Sequence, residues 1–251
     1  MELRVVSWNI HKGRDFLGRR VDIQHSFDLM VKQEWDVCCL QEVPRHAIQA
    51  FAHRSGMSFA YGATRPIRGG DHVGNVVLIR RGSIDEVANL DISAHAIESR
   101  GALFARVCLP THPSIIISST HFGLTRHWRD RQSREWLRFV DKSAQGDASG
   151  WSRVVVGGDF NDYASGVLNA MRLHGFNPPH HFLGRSSSSS FPSIAPVLSL
   201  DCIYFRGGGR SLGGGVLNRG AGWHRHSDHL PIFAHIDFTA TDDYFNRSPP
   251  S

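Results

Sequence analysis

Arg153-Val154-Val155-Val156-Gly157-Gly158-Asp159-Phe160-Asn161 is the stretch that decides how this chain is read. A run of valines is a buried strand. It ends in two glycines, which let backbone or substrate come close, and then in Asp159 and Asn161. Their spacing of two sets both on one side wherever strand geometry persists. A carboxylate beside an amide can orient a water and donate to a phosphoryl oxygen, the pairing a hydrolytic site needs. Taken alone, the same residues read equally well as a plain Asx turn.

Other apolar runs end the same way. The first strand runs into Ser7-Trp8-Asn9, and a short buried run at 36–40 runs into Gln41-Glu42. Glu42 at a strand mouth is a hard ligand for Mg²⁺ or Mn²⁺, and the amide oxygen of Asn9 can join it. His121 ends another run at Ser119-Thr120-His121-Phe122-Gly123. Asp201 sits inside the apolar Leu200-Asp201-Cys202-Ile203-Tyr204, where a buried acid needs a partner such as an imidazole. Ser227-Asp228-His229-Leu230-Pro231 precedes the last strand and offers a proton-shuttling or phosphate-binding histidine. Singly, each reads as a turn, surface or satisfied core residue; as a set they suit one rim. His224 and His226 near His229 suggest zinc, but the carboxylate and amide ligands argue for a harder ion.

Strand-like runs cover 3–8, 36–40, 75–80, 84–90, 102–109, 114–120, 153–156, 198–205 and 232–238. Helical periodicity covers 26–34, 45–55, 126–142 and 165–174, the second and fourth stopped by Gly56 and Gly175. Hairpin-like turns at Arg81-Gly82-Ser83 and Pro110-Thr111-His112-Pro113 argue against a doubly wound parallel sheet. They favour an α/β (α+β) arrangement, two mixed sheets packed together with helices outside. The expectation is one domain over 1–238 and a polar tail over 239–251. The serine run 186–190 and the glycine-rich 207–215 read as mobile loops, the latter lacking the Gly-Lys-Ser/Thr ending of a phosphate-binding loop.

At 251 residues, 41% apolar and 20% charged, the chain has the composition of a globular protein. Its net charge of +5 favours polyanionic partners, and arginine outnumbers lysine. Adjacent Cys38 and Cys39 point to opposite faces of a strand, and no CxxC pair exists, so neither zinc-ribbon nor thioredoxin readings hold. No secretory signal or membrane-length apolar run is read, so a reducing cytoplasmic location is expected.

Six segments now stand together: Trp8-Asn9-Ile10-His11, Leu40-Gln41-Glu42-Val43, Thr120-His121-Phe122-Gly123, Gly158-Asp159-Phe160-Asn161, Leu200-Asp201-Cys202-Ile203-Tyr204 and Ser227-Asp228-His229-Leu230-Pro231. In this order they resemble the endonuclease/exonuclease/phosphatase superfamily with its DNase I-like fold, over residues 1 to about 238. The opening Asn9-Ile10-His11-Lys12-Gly13 most resembles a bacterial subgroup. The resemblance implies a four-layer sandwich and metal-dependent phosphoester hydrolysis. It implies that Glu42 and Asn9 hold Mg²⁺ (or Mn²⁺), with Asp228 helping to place it. It implies Asp159 on the attacking water, Asn161 on the phosphoryl oxygens, His229 supported by Asp201 on the scissile phosphate, and His121 as a second imidazole.

Abasic-site nucleases of the superfamily usually open Asn-Ile-Asn-Gly-Leu-Arg, and this chain departs from that at His11-Lys12-Gly13. His11, Lys12, Arg14 and Arg100 are the expected substrate contacts, while Arg126, Arg129, Arg131 and Arg134 read either as further contacts to substrate phosphate or, in preference, as the solvated face of a helix. Charge favours nucleic acid as substrate, with an anionic phospholipid or small phosphoester as rivals. A non-catalytic nucleic-acid or membrane-binding module is the alternative of another class.

Overall fold

The computed structural model describes residues 2–67, 70–95, 98–110, 113–146, 152–179 and 188–238. The elements follow as β1 (Glu2–Asn9), α1 (Ile23–Val31), β2 (Val37–Pro44), α2 (Arg45–Ser55), β3 (Ser58–Pro66), β4 (His72–Ile79), β5 (Ser83–Asp91), β6 (Gly101–Cys108), β7 (Ile115–His121), α3 (Arg126–Gly146), β8 (Val154–Asp159), α4 (Gly166–Leu173), β9 (Asp201–Arg206), β10 (Arg210–Val216) and β11 (Ile232–Asp237).

Two mixed sheets form, ordered β10-β11-β1-β2-β4-β3 and β5-β6-β7-β8-β9. Strands β1 and β2 pair in parallel, as do β7 and β8, and the other neighbours are antiparallel. Phe27 and Met30 of α1 with Ile48 and Phe51 of α2 cover the outer face of the first sheet through Trp8, Cys38 and Leu40. Trp136 and Val140 of α3 with Val167 and Met171 of α4 cover the second sheet through Ile116, Val154 and Val156. The four layers expected from the sequence are therefore present, and Cys38 and Cys39 do face opposite sides.

Between the sheets, strand alternation fixes which side chains meet. Leu3 and Val5 lead to Ser7 and Asn9; Val37 and Cys39 lead to Gln41; Ile115 and Ile117 lead to Ser119 and His121; Val155 leads to Gly157 and Asp159; Phe205 and Ile203 lead back to Asp201. The polar ends of all these strands lie at the same end of the layer, because Asn9 pairs with Gln41 and Asp159 with both His121 and Asp201. Gly157 lets the two sheets close, and Gly158 fits tightly beside its neighbour β7. A Cβ on Gly157 would lie 2.9 Å from Cys39 Cβ and 3.0 Å from Ser7 Cβ, and one on Gly158 would lie 2.4 Å from the Thr120 carbonyl.

Several expectations need correction. The glycine-rich 207–215 is no mobile loop: most of it is β10, an edge strand paired with β11, whose backbone partner overrides weak propensity. Ser188, Ser189 and Ser190 of the serine run are buried, and Ser190 is fixed through its backbone to Leu198 and Leu230. Strand β3 was not expected at all. Helix α1 begins three residues early because Asp22 caps it, its carboxylate accepting from the amides of Gln24 and His25. Arg129 is buried, donates to the Leu124 carbonyl and lies over the Tyr163 ring, whereas Arg126 and Arg131 form exposed i,i+4 pairs with Asp130 and Glu135. The tail 239–251, the centre of the 110–113 turn and residues 186–187 lie outside the described residues. Among those described, no helix is long and apolar enough to cross a membrane.

Candidate active site

At the polar end of the layer, Asp159 is the hub. Its Oδ2 accepts from Asn9 Nδ2 at 3.1 Å and faces His121 Nε2 at 3.4 Å and His229 Nε2 at 3.6 Å. Its Oδ1 accepts the Asn161 amide at 3.1 Å. The strand does not continue past Asp159 as the spacing suggested. Asn161 takes a left-handed φ of 49°, which turns its side chain back so that Nδ2 donates to the Phe122 carbonyl at 3.0 Å beside His121.

His229 Nδ1 meets Asp201 Oδ2 at 2.7 Å, so Asp201 fixes the tautomer and Nε2 faces the hub. The Ser190 hydroxyl also donates to Asp201 Oδ2. Ser227 joins two strand ends: its hydroxyl donates to the Asn9 carbonyl at 2.6 Å and accepts the His229 amide at 3.1 Å. Burial opposes charge on His229, but Asp201 and Asp159 outweigh it and lift its pKa to about 10. Burial also pushes Asp159 up to about 7; the His229 charge opposes this, Asp201 reinforces it, and the bonds from Asn9 and Asn161 oppose it. The shared proton thus resides on His229. His121 is held neutral, well below its ordinary value, by burial first and then by Arg100, His229 and Lys12. Arg100 Nη1 lies 3.0 Å from His121 Nδ1 and donates to it, which leaves Nε2 to carry the ring proton toward Asp159.

Glu42 is placed by a register shift between Leu40 and Val43 and a left-handed φ of 55°. Its Oε2 lies 2.8 Å from Lys12 Nζ and its Oε1 3.7 Å from His121 Nδ1. Burial alone would raise the carboxyl, but Lys12, Arg100 and His11 together draw its pKa below the ordinary value. Of the six non-glycine residues with positive φ among the described residues, His11, Lys12, Glu42 and Asn161 belong to this site. Such backbone costs of order 1 kcal/mol or more per residue, and the surrounding structure must hold it.

The structure brings Asn9, Glu42, His121, Asp159, Asn161, Asp201 and His229 together at the common end of the strands. His11 and Asp228 adjoin them as a pair, Nδ1 to Oδ1 at 3.4 Å, and the His11 amide donates to Asn9 Oδ1. Arg100 and Lys12 touch the cluster directly. Arg14 does not: its guanidinium donates to the Gly18 carbonyl, and it lines a cleft of about 630 Å³ with Lys12, Arg20, Pro44 and His46. His226 instead bonds Ser26 through Nδ1, with its ring tilted against that of His25. Residues the sequence reading missed are Ser190, Ser227 and Glu98, which pairs with Arg100. Ser227 stood inside a quoted motif, but nothing in a serine run marks Ser190 as a partner of Asp201.

Oxygen donors for a hard cation are present. Glu42 Oε2 and Asp201 Oδ1 are buried without an aligned hydrogen-bond donor, and Asp159, Asp201 and His229 present ligand atoms within 4.8 Å of one another. Asp201 Oδ2 is already engaged by His229 and Ser190, whereas Glu42 Oε2 faces the Lys12 ammonium at 2.8 Å.

Residues 6–229 match the model of the endonuclease/exonuclease/phosphatase family. The chain belongs to that family. Uncharacterized protein YbhP of Escherichia coli is 30% identical over 254 residues, covering 93% of this chain and 95% of its own. Among solved structures, an endonuclease/exonuclease/phosphatase from Beutenbergia cavernae superposes with a TM-score of 0.75 at 17% identity, covering 94% of this chain and 71% of that one. D. rerio TDP2 in complex with a single-strand DNA product gives 0.71 at 17%, covering 94% and 99%. The mannosyl-6-phosphatase Bt3783 of Bacteroides thetaiotaomicron gives 0.71 at 15%, covering 94% and 100%. At these identities the structural likeness establishes the shared fold.

Proposed function

We propose that this chain is a divalent-metal-dependent phosphodiesterase acting on nucleic acid. The observation that carries the reading is the gathering of six distant segments at one end of the sheets: Asn9, His121 and His229 face the Asp159 carboxylate, Asp201 backs His229, and Glu42 lies beside His121. Glu42, with the Asn9 amide oxygen, would hold Mg²⁺ or Mn²⁺, and Asp228 would support that arrangement through His11. When bound, the ion polarises the phosphoryl group and stabilises the leaving oxygen.

The chain's own residues account for the rest. Asp159, with its pKa raised to about 7, accepts the proton of the attacking water as the water oxygen bonds to phosphorus and the leaving oxygen departs. The His229 imidazolium donates from Nε2 to a phosphoryl oxygen, and Asp201 and Ser190 keep it aimed. Neutral His121 and the Asn161 amide offer further donors, and Arg100 fixes the His121 tautomer. The basic cleft with Lys12, Arg14 and Arg20 suits a polyanionic substrate.

An anionic phospholipid is the second reading, favoured by exposed Phe16 and Leu17 in the same loop as Arg14, Arg19 and Arg20. A cytoplasmic site of action accords with four free cysteines, two of them fully buried. The test is a panel of duplex, abasic and single-stranded DNA, RNA, phospholipid vesicles and mono- and diester chromogens, with Mg²⁺ or Mn²⁺ and with chelator. Cleavage of a nucleic acid that chelator and Glu42→Gln both abolish is expected. No hydrolysis in either metal, with ligand binding intact, would leave a binding module instead.

A further inference from the structure

Lys12 is an unusual neighbour for a carboxylate reserved for a cation. Its Nζ sits 2.8 Å from Glu42 Oε2, with 28% and 15% of the two side chains exposed. The contact is a close ion pair at a buried carboxylate oxygen. It is a charge pair that a stronger charge can displace. Both partners are aimed by strained backbone: His11, Lys12 and Gly13 form three successive left-handed residues at φ 47°, 58° and 71°, and Glu42 is at 55°. That turn is closed by the Gly13 amide to the Ile10 carbonyl at 2.9 Å and the Arg14 amide to the His11 carbonyl at 3.1 Å. Strain at both ends of one ion pair marks a geometry the fold maintains at a cost.

Lys12 also lines the cleft shared with Arg14, Arg20 and His46. Its flexible stem and non-directional ammonium allow it to serve either neighbour, which a rigid guanidinium fork would not. A lysine and a doubly charged ion cannot both occupy Oε2, because like charges at contact distance in a buried site repel strongly.

We infer that Lys12 is a resident cation on Glu42 that gives way to the divalent ion and turns into the cleft to grip the substrate's phosphate. Lys12 thereby keeps buried Glu42 neutralised before loading, and it makes tight phosphate binding conditional on the metal. The inference rests on the metal role given to Glu42 above.

The test is calorimetric. Mn²⁺ is titrated into the full-length wild type, Lys12→Met, Lys12→Gln and Glu42→Gln, and inorganic phosphate is then titrated into each Mn²⁺-loaded protein. Both Lys12 variants are expected to bind Mn²⁺ roughly tenfold tighter than wild type. Once loaded, they are expected to bind phosphate at least about fivefold more weakly. Melting curves confirm that each variant is folded, and the two neutral replacements guard against a defect of either one. Mn²⁺ affinity unchanged or weakened in both Lys12 variants overturns the inference, as does phosphate affinity equal to wild type. Glu42→Gln separates the two levels: if it binds Mn²⁺ as wild type does, the metal role of Glu42 fails and the Lys12 inference falls with it.

Discussion

The two halves of the layer between the sheets are built to one pattern with opposite chemistry. Far from Asp159 it is aliphatic: Leu3, Val5, Val37, Val77, Leu103, Ile115, Ile117, Val155 and Ile236 are fully buried against one another. Toward Asp159 the same strands carry Ser7, Gln41, Asn75, Ser119 and then the site itself. Here the buried polar groups bond to each other and to backbone, as in Gln41 Nε2 to Ser119 Oγ at 3.1 Å, Ser119 Oγ to the Leu40 carbonyl at 3.0 Å, and Asn75 Nδ2 to the Gly101 carbonyl at 2.7 Å. The contrast teaches that the site is a continuation of the core, not an attachment to it. One half gains stability from burying apolar surface. The other tolerates buried charge and left-handed backbone, which are costly, and so is kept for its chemistry.

The sharpest way to break that contrast is to mutate one residue from each half. Ile117→Ala is expected to cost about 2–5 kcal/mol of stability, with turnover per folded molecule little changed. Asp159→Asn is expected to lower turnover by at least about a hundredfold while urea unfolding remains cooperative near the wild-type midpoint. Urea titrations and initial rates on both variants decide it. Equal losses of stability and activity in both would mean the halves are not functionally distinct.

A smaller effect sharpens the comparison through pH. Asp159 titrates at about 7 when folded against 3.8 for the unperturbed group, and His229 at about 10 against 6.5. Both hold protons in the folded state that the unfolded chain has released, so both make stability fall as pH rises. The stabilisation from His229 is complete below 6.5 and drains away as pH climbs toward 10. His121 has the opposite sign: its depressed value costs stability only below its unfolded pKa, so it offsets Asp159 on the acidic side. The buried thiols of Cys39 and Cys202, both raised to about 12, add a further decline only where unfolded cysteines ionise. From about pH 7 to about 8.5, then, metal-free protein is expected to lose stability through His229. Urea midpoints in chelator across that window should fall for wild type. A wild-type curve that rises would reverse the assignment of the proton.

The apolar half was plainly legible in the sequence. Valine and isoleucine runs announce strands, and Gly56 and Gly175 stop α2 and α4 as expected, at φ 67° and 77°. The polar half was legible in its residues but not in its geometry. Asp159 and His121 end their strands and Asp201 opens its own, each on an even step from core residues, so the alternation that buries Val155 and Ile117 also delivers the site. Glu42 and Asn161 depend on a register shift and left-handed backbone, which no local pattern encodes. Strand β3 has no clear signature in the sequence because Gly62 interrupts it, although a Cβ there would lie 2.4 Å from Asn89 Oδ1. Strand β10 has none because three glycines at 213–215 look like a loop until β11 supplies the partner. Tertiary pairing decided both cases against propensity.

The most direct measurement is the anomalous difference map of a crystal grown with Mn²⁺ and inorganic phosphate. The expected result is a peak with a Glu42 carboxylate oxygen about 2.0–2.3 Å away, and a phosphate between it and His229 Nε2. A peak that leaves Glu42 untouched, or a phosphate bound away from His229, would contradict a hydrolytic site at the polar end of the two sheets.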